Sequence, residues 1–230
     1  MHGADAEFRT LVTTNIDEAN ANGITNSVNI LSPVVNQMDD KPGSPYEGNQ
    51  RPKYDPFLQL NPRNLVWWYQ SCLSHGCFIV GGDYFTGWPS LVVDTSAVQN
   101  RSQGMLSWLY GVTGILYYTI DLHLDRAWNG DLYDFGGNGD GTLLYPGQPS
   151  VIGGQTDIPV ASIRLKMLRE GLEDYEYMKL VSDLGDPDFA QQVGQNLFPD
   201  VFASRQPSAS LNAAHEALAQ RILGVNTICS

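Results

Sequence analysis

The 230-residue sequence predicts an α/β fold built on parallel strands, and three observations support this prediction. Four short segments are nearly continuous apolar runs, as strands buried on both faces are, and they lie at 8–14, 28–35, 65–71 and 114–120. Helix-like segments separate them, so each strand begins a βα unit. A doubly wound open sheet and a (β/α)8 barrel both fit this order. No Gly-rich phosphate loop follows any of the strands, which disfavours a dinucleotide fold, and four units would make half a barrel.

The first half of the chain predicts a helix, a long loop and an aromatic strand after the first two strands. Residues 16–22 predict a short helix that Gly23 stops. Pro33 lies inside the second strand, where proline prefers an edge or an end. Five prolines, with several Gly, Asn and Asp residues, make 39–64 a long irregular loop. The aromatic segment 65–71 is the third strand.

The second half alternates helices with one polar loop. A serine and a glutamine in capping-box spacing begin a helix over 96–110, ahead of the fourth strand. Segment 122–156 is polar and predicts another long loop. The strongest helix follows at 160–181, where apolar residues recur every 3.6 positions and the charges of 164–176 form the solvent face. A last helix spans 210–223, and a glycine ends it.

Composition and charge exclude several classes of protein. Thirteen Lys and Arg residues against 25 Asp and Glu residues leave a net charge of −12, and no basic run exists, so a nucleic-acid-binding surface is not expected. Plentiful aromatic and aliphatic residues argue against disorder. No apolar stretch of about 18 residues predicts a membrane span, and the N-terminal residues lack the apolar core of a signal peptide. The three cysteines predict no disulfide framework.

Five segments carry a family resemblance, and they are 66–77 (VWWYQSCLSHGC), 91–101 (LVVDTSAVQNR), 110–122 (YGVTGILYYTIDL), 138–147 (NGDGTLLYPG) and 161–180 (ASIRLKMLREGLEDYEYMKL). In this order they resemble the catalytic domain of glycoside hydrolase family 123-like proteins, across residues 8–181. The resemblance implies a (β/α)8 TIM-type barrel of which this chain supplies the last four βα units. On that basis we expect a partial barrel in residues 1–183 and a C-terminal helical extension in 184–230.

The resemblance also implies an activity. Characterised relatives are N-acetyl-β-galactosaminidases, which use an adjacent Asp–Glu pair at the end of the fourth barrel strand. In this substrate-assisted, retaining reaction the Asp stabilises the attacking 2-acetamido group while the Glu protonates the leaving oxygen. The segment that should carry this pair lies upstream of the chain, so we expect a hydrolase fragment that is inactive alone. The alternatives are a non-catalytic glycan-binding or structural half-barrel module and a half-barrel that assembles with a second copy.

Candidate substrate-binding residues follow the strand ends, because these ends form the functional face of a barrel. They are Asn36, Trp68, Tyr69, Gln70, Tyr118 and Asp121. Aromatic rings can bind the C–H faces of a sugar and polar groups can bond its hydroxyls, but packing of the core or of a loop is an equally open role for each. Asp17 and Glu18 form the chain's Asp–Glu dipeptide and are the runner-up for a catalytic pair, although acids in a first helical turn also complement the helix dipole.

No cofactor or metal is expected. Cys72, His75 and Cys77 could offer zinc three ligands, but a fourth is not obvious. Segment 138–141 has a hint of calcium-loop spacing, but the acidic closing ligand is missing. The expected partner is a glycan, without nucleic acid or membrane, and exposed half-barrel edges could support a homodimer. Both the low-lysine, aromatic composition and the family resemblance favour an extracellular or periplasmic protein.

Overall fold

A computed structural model describes residues 8–77 and 82–228 of the chain. It is a mixed helix and strand structure with small sheets, consistent with the predicted α/β class. By contacts the chain separates into two compact units. The first contains the chain up to Gln70 together with Tyr110–Leu116, and the second contains Ser71–Leu109 together with the chain from Tyr117 onward. The boundary predicted between residues 183 and 184 is not tested by this division and stays a prediction.

Parallel strands in sequence order form the first unit. Strands β1 (Leu11–Val12), β2 (Ile30–Leu31) and β3 (Leu65–Val66) make one sheet, and β4 (Trp68–Tyr69) pairs with β5 (Ile115–Leu116). Every pair is parallel, as predicted, with register partners such as Ile30 and Leu65. Each ladder covers only two residues, so the strands are much shorter than the predicted apolar runs. The described sheets do not close into a barrel.

Short helices connect these strands. They are α1 (Ile16–Ala21), α2 (Val35–Met38) and α3 (Asp55–Leu60), with a 3-10 turn at Arg51–Tyr54 before α3. The stop at Gly23 is confirmed, since this residue follows the end of α1 with a φ of +65°. The prediction of an irregular loop over 39–64 is wrong in part. Pro52 and Pro56 lie in the first turns of the two helical segments, where a missing amide hydrogen costs nothing.

The second unit is mainly helical. Its helices are α4 (Cys72–His75), α5 (Ala97–Arg101), α6 (Gln103–Leu109), α7 (Pro149–Ile152), α8 (Ile163–Asp183), α9 (Pro187–Leu197) and α10 (Ser208–Ile228), with a 3-10 turn at Gly82–Phe85. The predicted capping box at Ser96 and Gln99 is confirmed, because both of its hydrogen bonds are present. The helix predicted over 96–110 is divided into α5 and α6. The last helix continues through Gly224, so the predicted stop there is wrong.

Two antiparallel hairpins occupy the region predicted as a long polar loop. Strand β6 (Tyr133–Asp134) pairs with β7 (Gly137–Asn138), and β8 (Leu144–Gly147) pairs with β9 (Ile158–Ala161). Val160, predicted as the start of the long helix, therefore lies in β9. Helix α8 begins after Ser162, whose hydroxyl oxygen accepts from the Leu165 amide at 3.2 Å. This cap sets the helix start three residues later than apolar periodicity suggested.

The packed face of α8 differs from the predicted one. Its buried residues are Arg164, Gly171, Asp174, Met178 and Val181, which include two of the charges assigned to the solvent face. In contrast, the predicted core residues Ile163 and Leu172 are 65% and 47% exposed. Gly171 explains the choice, because a Cβ added there would lie 2.1 Å from the carbonyl oxygen of Arg101. Close backbone approach, rather than apolar spacing, selects the face that packs.

Each unit has its own interior. The largest fully buried side chains of the first unit are Trp68, Tyr54, Phe57, Leu31 and Met38. Those of the second unit are Trp88, Phe198, Leu91, Met105, Leu106, Leu143 and Met178. Within the two described ranges, no helix combines the length and the apolar character that crossing a membrane requires.

Candidate functional site

Strand alternation divides the aromatic segment of the first unit into two faces. Val66, Trp68 and Gln70 are buried, whereas Leu65, Trp67 and Tyr69 are half-buried. This period of two is the one expected of an extended strand. The Trp68 ring lies 5.7 Å from the ring of Tyr110, centroid to centroid. Trp68, a predicted substrate-binding residue, is therefore a core residue of the first unit.

The other face of this segment carries Trp67 and Tyr69. A Cβ added at Gly114 would lie 2.4 Å from the Trp67 ring, so the indole rests directly on the backbone of the neighbouring strand segment. The Tyr69 amide donates to the Pro33 carbonyl at 2.8 Å, which holds the tyrosine beside the end of β2. Tyr69 thus retains the position that the sequence predicted for it, with its side chain partly open to solvent.

Polar side chains gather at the carboxyl ends of the first-unit strands. Asn15 follows β1 and caps α1, its side-chain oxygen accepting from the Glu18 amide at 2.9 Å. Ser32 follows β2 and Gln70 follows β4, and both are buried. Within the described part of the chain, the Ser32 hydroxyl and the Gln70 amide oxygen have no hydrogen-bond partner. Buried polar groups of this kind normally find a partner, so these strand ends offer hydrogen bonds to water or to a ligand.

Asn36, a predicted site residue, and Asp39 lie just beyond β2. Asn36 is half-buried in α2, and Asp39 is buried and accepts a hydrogen bond from the Tyr110 hydroxyl. Asp39, which directly follows α2, is therefore tied to Tyr110, the residue that packs against Trp68 in the interior. Its carboxylate is occupied in the folded unit, whereas Asn36 keeps partial exposure.

Asp17 and Glu18 occupy the exposed first turn of α1. Lys53 forms an ion pair with Asp17 at 2.8 Å, and the Thr14 hydroxyl donates to Glu18 at 2.7 Å. The two carboxylates therefore have separate local partners. Their position at the start of a helix is the one in which acids complement the helix dipole.

In the second unit a buried acid joins three loop segments. The Asp140 carboxylate accepts from the Cys72 amide at 2.9 Å and from the Tyr117 hydroxyl at 2.8 Å. Glycines with φ of +81° and +73°, Gly139 and Gly141, flank it in a tight turn. Burial raises the pKa of Asp140 and that of Tyr117. The segment with calcium-like spacing is thus a glycine turn whose acid bonds to protein donors.

Tyr118 and Asp121, the two predicted site residues of the second unit, are both exposed. Tyr118 is 58% exposed, and Asp121 accepts from the Thr119 hydroxyl at 3.0 Å. An isolated antiparallel bridge joins Asp121 to Thr142, one residue beyond the glycine turn. The backbone therefore fixes Asp121 while its side chain remains accessible. The remaining four predicted residues belong to the first unit.

A cavity of about 490 Å³ opens in the second unit, and an aromatic pair forms part of its wall. The rings of Trp128 and Tyr145 lie 5.0 Å apart, centroid to centroid, at an angle of 56°. The Trp128 indole N–H donates to the Pro146 carbonyl at 2.7 Å, which fixes the ring although it is 45% exposed. The remaining lining residues are Val93, Thr95, Ala97, Asn100, Val160, Ala161, Ser162, Ile163, Arg164 and Met167.

Arg164 is the charged residue of this lining, and it is bound to backbone rather than to an acid. Its guanidinium donates to the carbonyls of Leu91, Gly139 and Thr142 at 2.6–2.7 Å. The side chain is buried, so the prediction that it belongs to a solvent face is wrong. Sequence reasoning also missed the cavity, because Trp128 and Tyr145 fall in a stretch without periodicity. The signal available was an isolated tryptophan inside a polar segment.

Cys72 and Cys77 form a disulfide bond within the second unit. The sequence predicted no disulfide framework, and this pair corrects that prediction; the third cysteine, Cys229, lies outside the described residues. The two sulfurs are joined to each other, so they are not available as zinc thiolates. His75 packs instead against the ring of Trp88, at 4.7 Å between centroids. In residues 8–77 and 82–228 no group of three His, Cys, Asp or Glu side chains could hold a metal ion.

Comparison with known proteins shows the fold. The chain is similar in structure to a family 123 glycoside hydrolase from Clostridium perfringens, whose structural analysis addressed glycolipid glycan hydrolysis. The TM-score is 0.65 at 13% sequence identity, and the likeness covers 100% of this chain and 39% of that one. This chain therefore has a glycoside hydrolase family 123-like fold and spans about two fifths of the length of that neighbour. No family model and no curated protein matches the sequence.

Proposed function

We propose that this chain is the C-terminal half of a (β/α)8 barrel of a secreted glycoside hydrolase, and that it binds glycans containing β-linked N-acetylhexosamine. The observation that carries the proposal is the structural likeness to the family 123 hydrolase, which extends over the whole chain. The parallel order β1-β2-β3 and the pair β4-β5 support it, because consecutive parallel strands are what the last βα units of a barrel contain.

Each unit has its own proposed sugar contacts, at the strand ends of the first and in the loop after β5 of the second. Tyr69 and Asn36 keep partial exposure in the first unit, and Gln70 brings a buried amide oxygen without a partner among the described residues. Tyr118 and Asp121 are accessible in the second unit. An aromatic face, amides and a carboxylate are the groups that recognise a sugar ring and its hydroxyls.

In the proposed whole enzyme, the reaction is the substrate-assisted, retaining hydrolysis of an N-acetyl-β-galactosaminide. The acid and the stabilising carboxylate would come from an Asp–Glu pair on a strand upstream of β1. Asp17 and Glu18 are poor substitutes, because Lys53 and Thr14 already engage them at the start of α1. We therefore expect the chain as given to bind sugar without useful turnover, since general acid catalysis contributes about 10²–10⁴-fold.

A second candidate function is a non-catalytic glycan-binding module. The same engagement of Asp17 and Glu18 favours it, because the chain's own Asp–Glu dipeptide serves a helix start. The Cys72–Cys77 disulfide supports an extracellular or periplasmic location for either function, since such bonds persist in oxidising compartments. Pairing of two half-barrels through their sheet edges is part of the proposal and would be seen as a dimer in solution.

The test is a titration of the chain with N-acetylgalactosamine and with glucose, followed by nuclear magnetic resonance. We expect selective binding of the N-acetylated sugar that weakens about tenfold in Tyr69→Ala and Tyr118→Ala. Tyr133→Ala is the matched control, because Tyr133 is 50% exposed in the same unit as Tyr118 but is not a proposed contact. Equal response to both sugars, or none to either, would contradict the proposal. In parallel, turnover of an aryl N-acetyl-β-galactosaminide that disappears in Asp17→Asn or Glu18→Gln would show that this pair is catalytic.

A further inference from the structure

The cavity beside Trp128 has a lining that selects for one kind of ligand. It holds about 490 Å³, which is within the range of about 300–1,000 Å³ typical of small-molecule sites. Val93, Val160 and Met167 supply aliphatic surface, and Trp128 and Tyr145 supply two ring faces that meet at 56°. Two inclined aromatic rings form a corner in which a planar ring can stack on one face and meet the other at its edge.

The polar groups of the lining are largely committed to the protein. The Asn100 amide nitrogen donates to the Ser90 carbonyl at 2.6 Å and to the Thr95 hydroxyl at 3.1 Å. The Thr95 hydroxyl itself donates to the Val92 carbonyl at 3.0 Å. The Ser162 oxygen accepts from the first turn of α8. These three side chains therefore offer a ligand few hydrogen bonds, which disfavours a sugar ring as the occupant.

The charge of Arg164 is also committed to the protein. Its terminal nitrogens donate to three backbone carbonyls, and the residue is buried. An anion in the cavity would have to compete with those carbonyls for the guanidinium. No acid is among the described lining residues, so a cation would find ring faces but no counter-charge there. The cavity therefore suits a neutral group.

We propose that this cavity binds a neutral aryl group, as the aglycone of an aryl glycoside. The word aglycone rests on the proposed glycan function, whereas the preference for a neutral planar apolar group rests on the lining alone. The Trp128 ring is held in place by its bond to Pro146 before any ligand arrives, so little side-chain freedom is lost on binding.

Two ligand series separate these two parts of the proposal. The first is N-phenyl-1-naphthylamine, a neutral fluorophore whose emission rises in apolar surroundings. The second is a matched pair, phenyl and methyl β-N-acetylgalactosaminide, which share the sugar and differ in the aglycone. We expect the fluorophore to bind and the phenyl glycoside to bind about tenfold more tightly than the methyl glycoside, since burying a ring is worth more than about 1.4 kcal/mol.

Ala97→Trp is the decisive variant. Ala97 lines the cavity from the exposed first position of α5, so a large ring placed there fills the space without entering the interior. It should weaken fluorophore binding about tenfold and remove the difference between the two glycosides. Trp128→Phe, which keeps a ring but loses the bond to Pro146, should weaken it less. Tyr133→Ala, an exposed aromatic residue outside the lining, should change nothing.

The outcomes are distinguishable from those of the proposed function. Fluorophore binding that is absent, or that persists unchanged in Ala97→Trp, would overturn the cavity assignment. Equal binding of phenyl and methyl glycosides by the unaltered chain would overturn the aglycone assignment. A third outcome is that neither glycoside binds, whereas the fluorophore binds and its binding is weakened in Ala97→Trp. The glycan function then fails and the aryl site stands. Near-ultraviolet circular dichroism verifies that each variant keeps the native packing.

Discussion

Helix α8 buries two charged side chains, Arg164 in its first turn and Asp174 near its middle. The two charges are stabilised by different kinds of partner. Arg164 donates to three backbone carbonyls in neighbouring loops. Asp174 accepts from other side chains, with the Arg101 guanidinium at 2.6 and 2.7 Å and His215 Nδ1 at 2.7 Å. A side chain bonded to carbonyls fixes the path of loops, whereas one bonded to side chains fixes one helix against another.

This difference determines how replaceable each residue is. The partners of Asp174 can be exchanged by mutation, so an apolar pair could take their place. The partners of Arg164 are part of the backbone and remain whatever residue replaces the arginine. The stability of the protein should therefore depend more strongly on the charge of Arg164 than on that of Asp174.

Arg164→Leu should cause the largest loss of stability. Three carbonyls would lose a charge-assisted donor, and the free energy of unfolding should fall by about 4 kcal/mol. Arg164→Lys should recover only part of this, because an ammonium cannot span the three acceptors as a planar fork does. Urea denaturation measures both. The control is Lys166→Leu on the exposed side of the same helix, for which a change beyond about 0.5 kcal/mol would be unexpected.

Asp174→Asn should cost about 3 kcal/mol, because it leaves the Arg101 guanidinium without its buried counter-charge. The double variant Asp174→Leu with Arg101→Met should regain much of that loss, since no charge then remains to be neutralised. Glu173→Gln, which affects only an exposed pair with Arg169, is the matched control and should be close to neutral. A double variant as unstable as Asp174→Asn would show that the partners of Asp174 are no more replaceable than those of Arg164.

Gly171→Ala tests the close approach of α8 to the backbone of Arg101 at the end of α5. The new Cβ would lie 2.1 Å from the Arg101 carbonyl oxygen, so the helices must separate at a cost of about 1–3 kcal/mol. Gly224→Ala is the control of opposite sign, because a Cβ there meets open space and alanine favours a helix by about 1 kcal/mol. A Gly171→Ala protein as stable as the parent would show that α8 does not need its close approach.

These residues also show how far sequence patterns could predict the molecule. Apolar runs correctly predicted the parallel order of strands because burial on both faces leaves a pattern that any such strand must have. The same reasoning failed in part on α8, since periodicity counts apolar residues and here Arg164, Gly171 and Asp174 share the packed face with Met178 and Val181. Their partners, Leu91 and Arg101, lie more than sixty positions away, and no local pattern encodes such a pairing.

The candidate site was predictable to a similar degree. Tyr69 and Asn36 lie beside strand ends, where topology places functional residues, whereas Trp68, predicted alongside Tyr69, faces the interior. The cavity at Trp128 could not be predicted, because it forms where a hairpin, a loop and two helix starts meet. The disulfide was hidden for a related reason, as an odd cysteine count does not say which pair is close in space.

The pH-dependent effect of Asp140→Asn should be the smallest of these changes. Burial raises the pKa of Asp140 above its ordinary value of 3.8, so between 3.8 and the native value the folded state holds a proton that the unfolded state has released. The contribution of this group to stability is therefore complete below pH 3.8 and declines as pH rises through its native pKa. We expect the urea midpoint of the parent, measured from pH 3 to 7, to fall relative to that of Asp140→Asn between pH 3.8 and the native pKa. Above the native pKa the difference between the two midpoints should stay constant.

Arg164 opposes this shift, since its positive charge near the glycine turn lowers the pKa of Asp140. Arg164→Lys should keep most of that opposition, so its pH profile should resemble the parent's even though its stability is lower. Asp121→Asn, an exposed acid of the same unit, controls for the loss of one negative charge and should follow the parent. A parent that gains stability relative to Asp140→Asn as pH rises would mean that the Tyr117 hydroxyl, the Cys72 amide and Arg164 together outweigh burial. Arg164 and Asp140 would then act as an electrostatic pair, as Asp174 and Arg101 do, and the contrast between Arg164 and Asp174 would disappear.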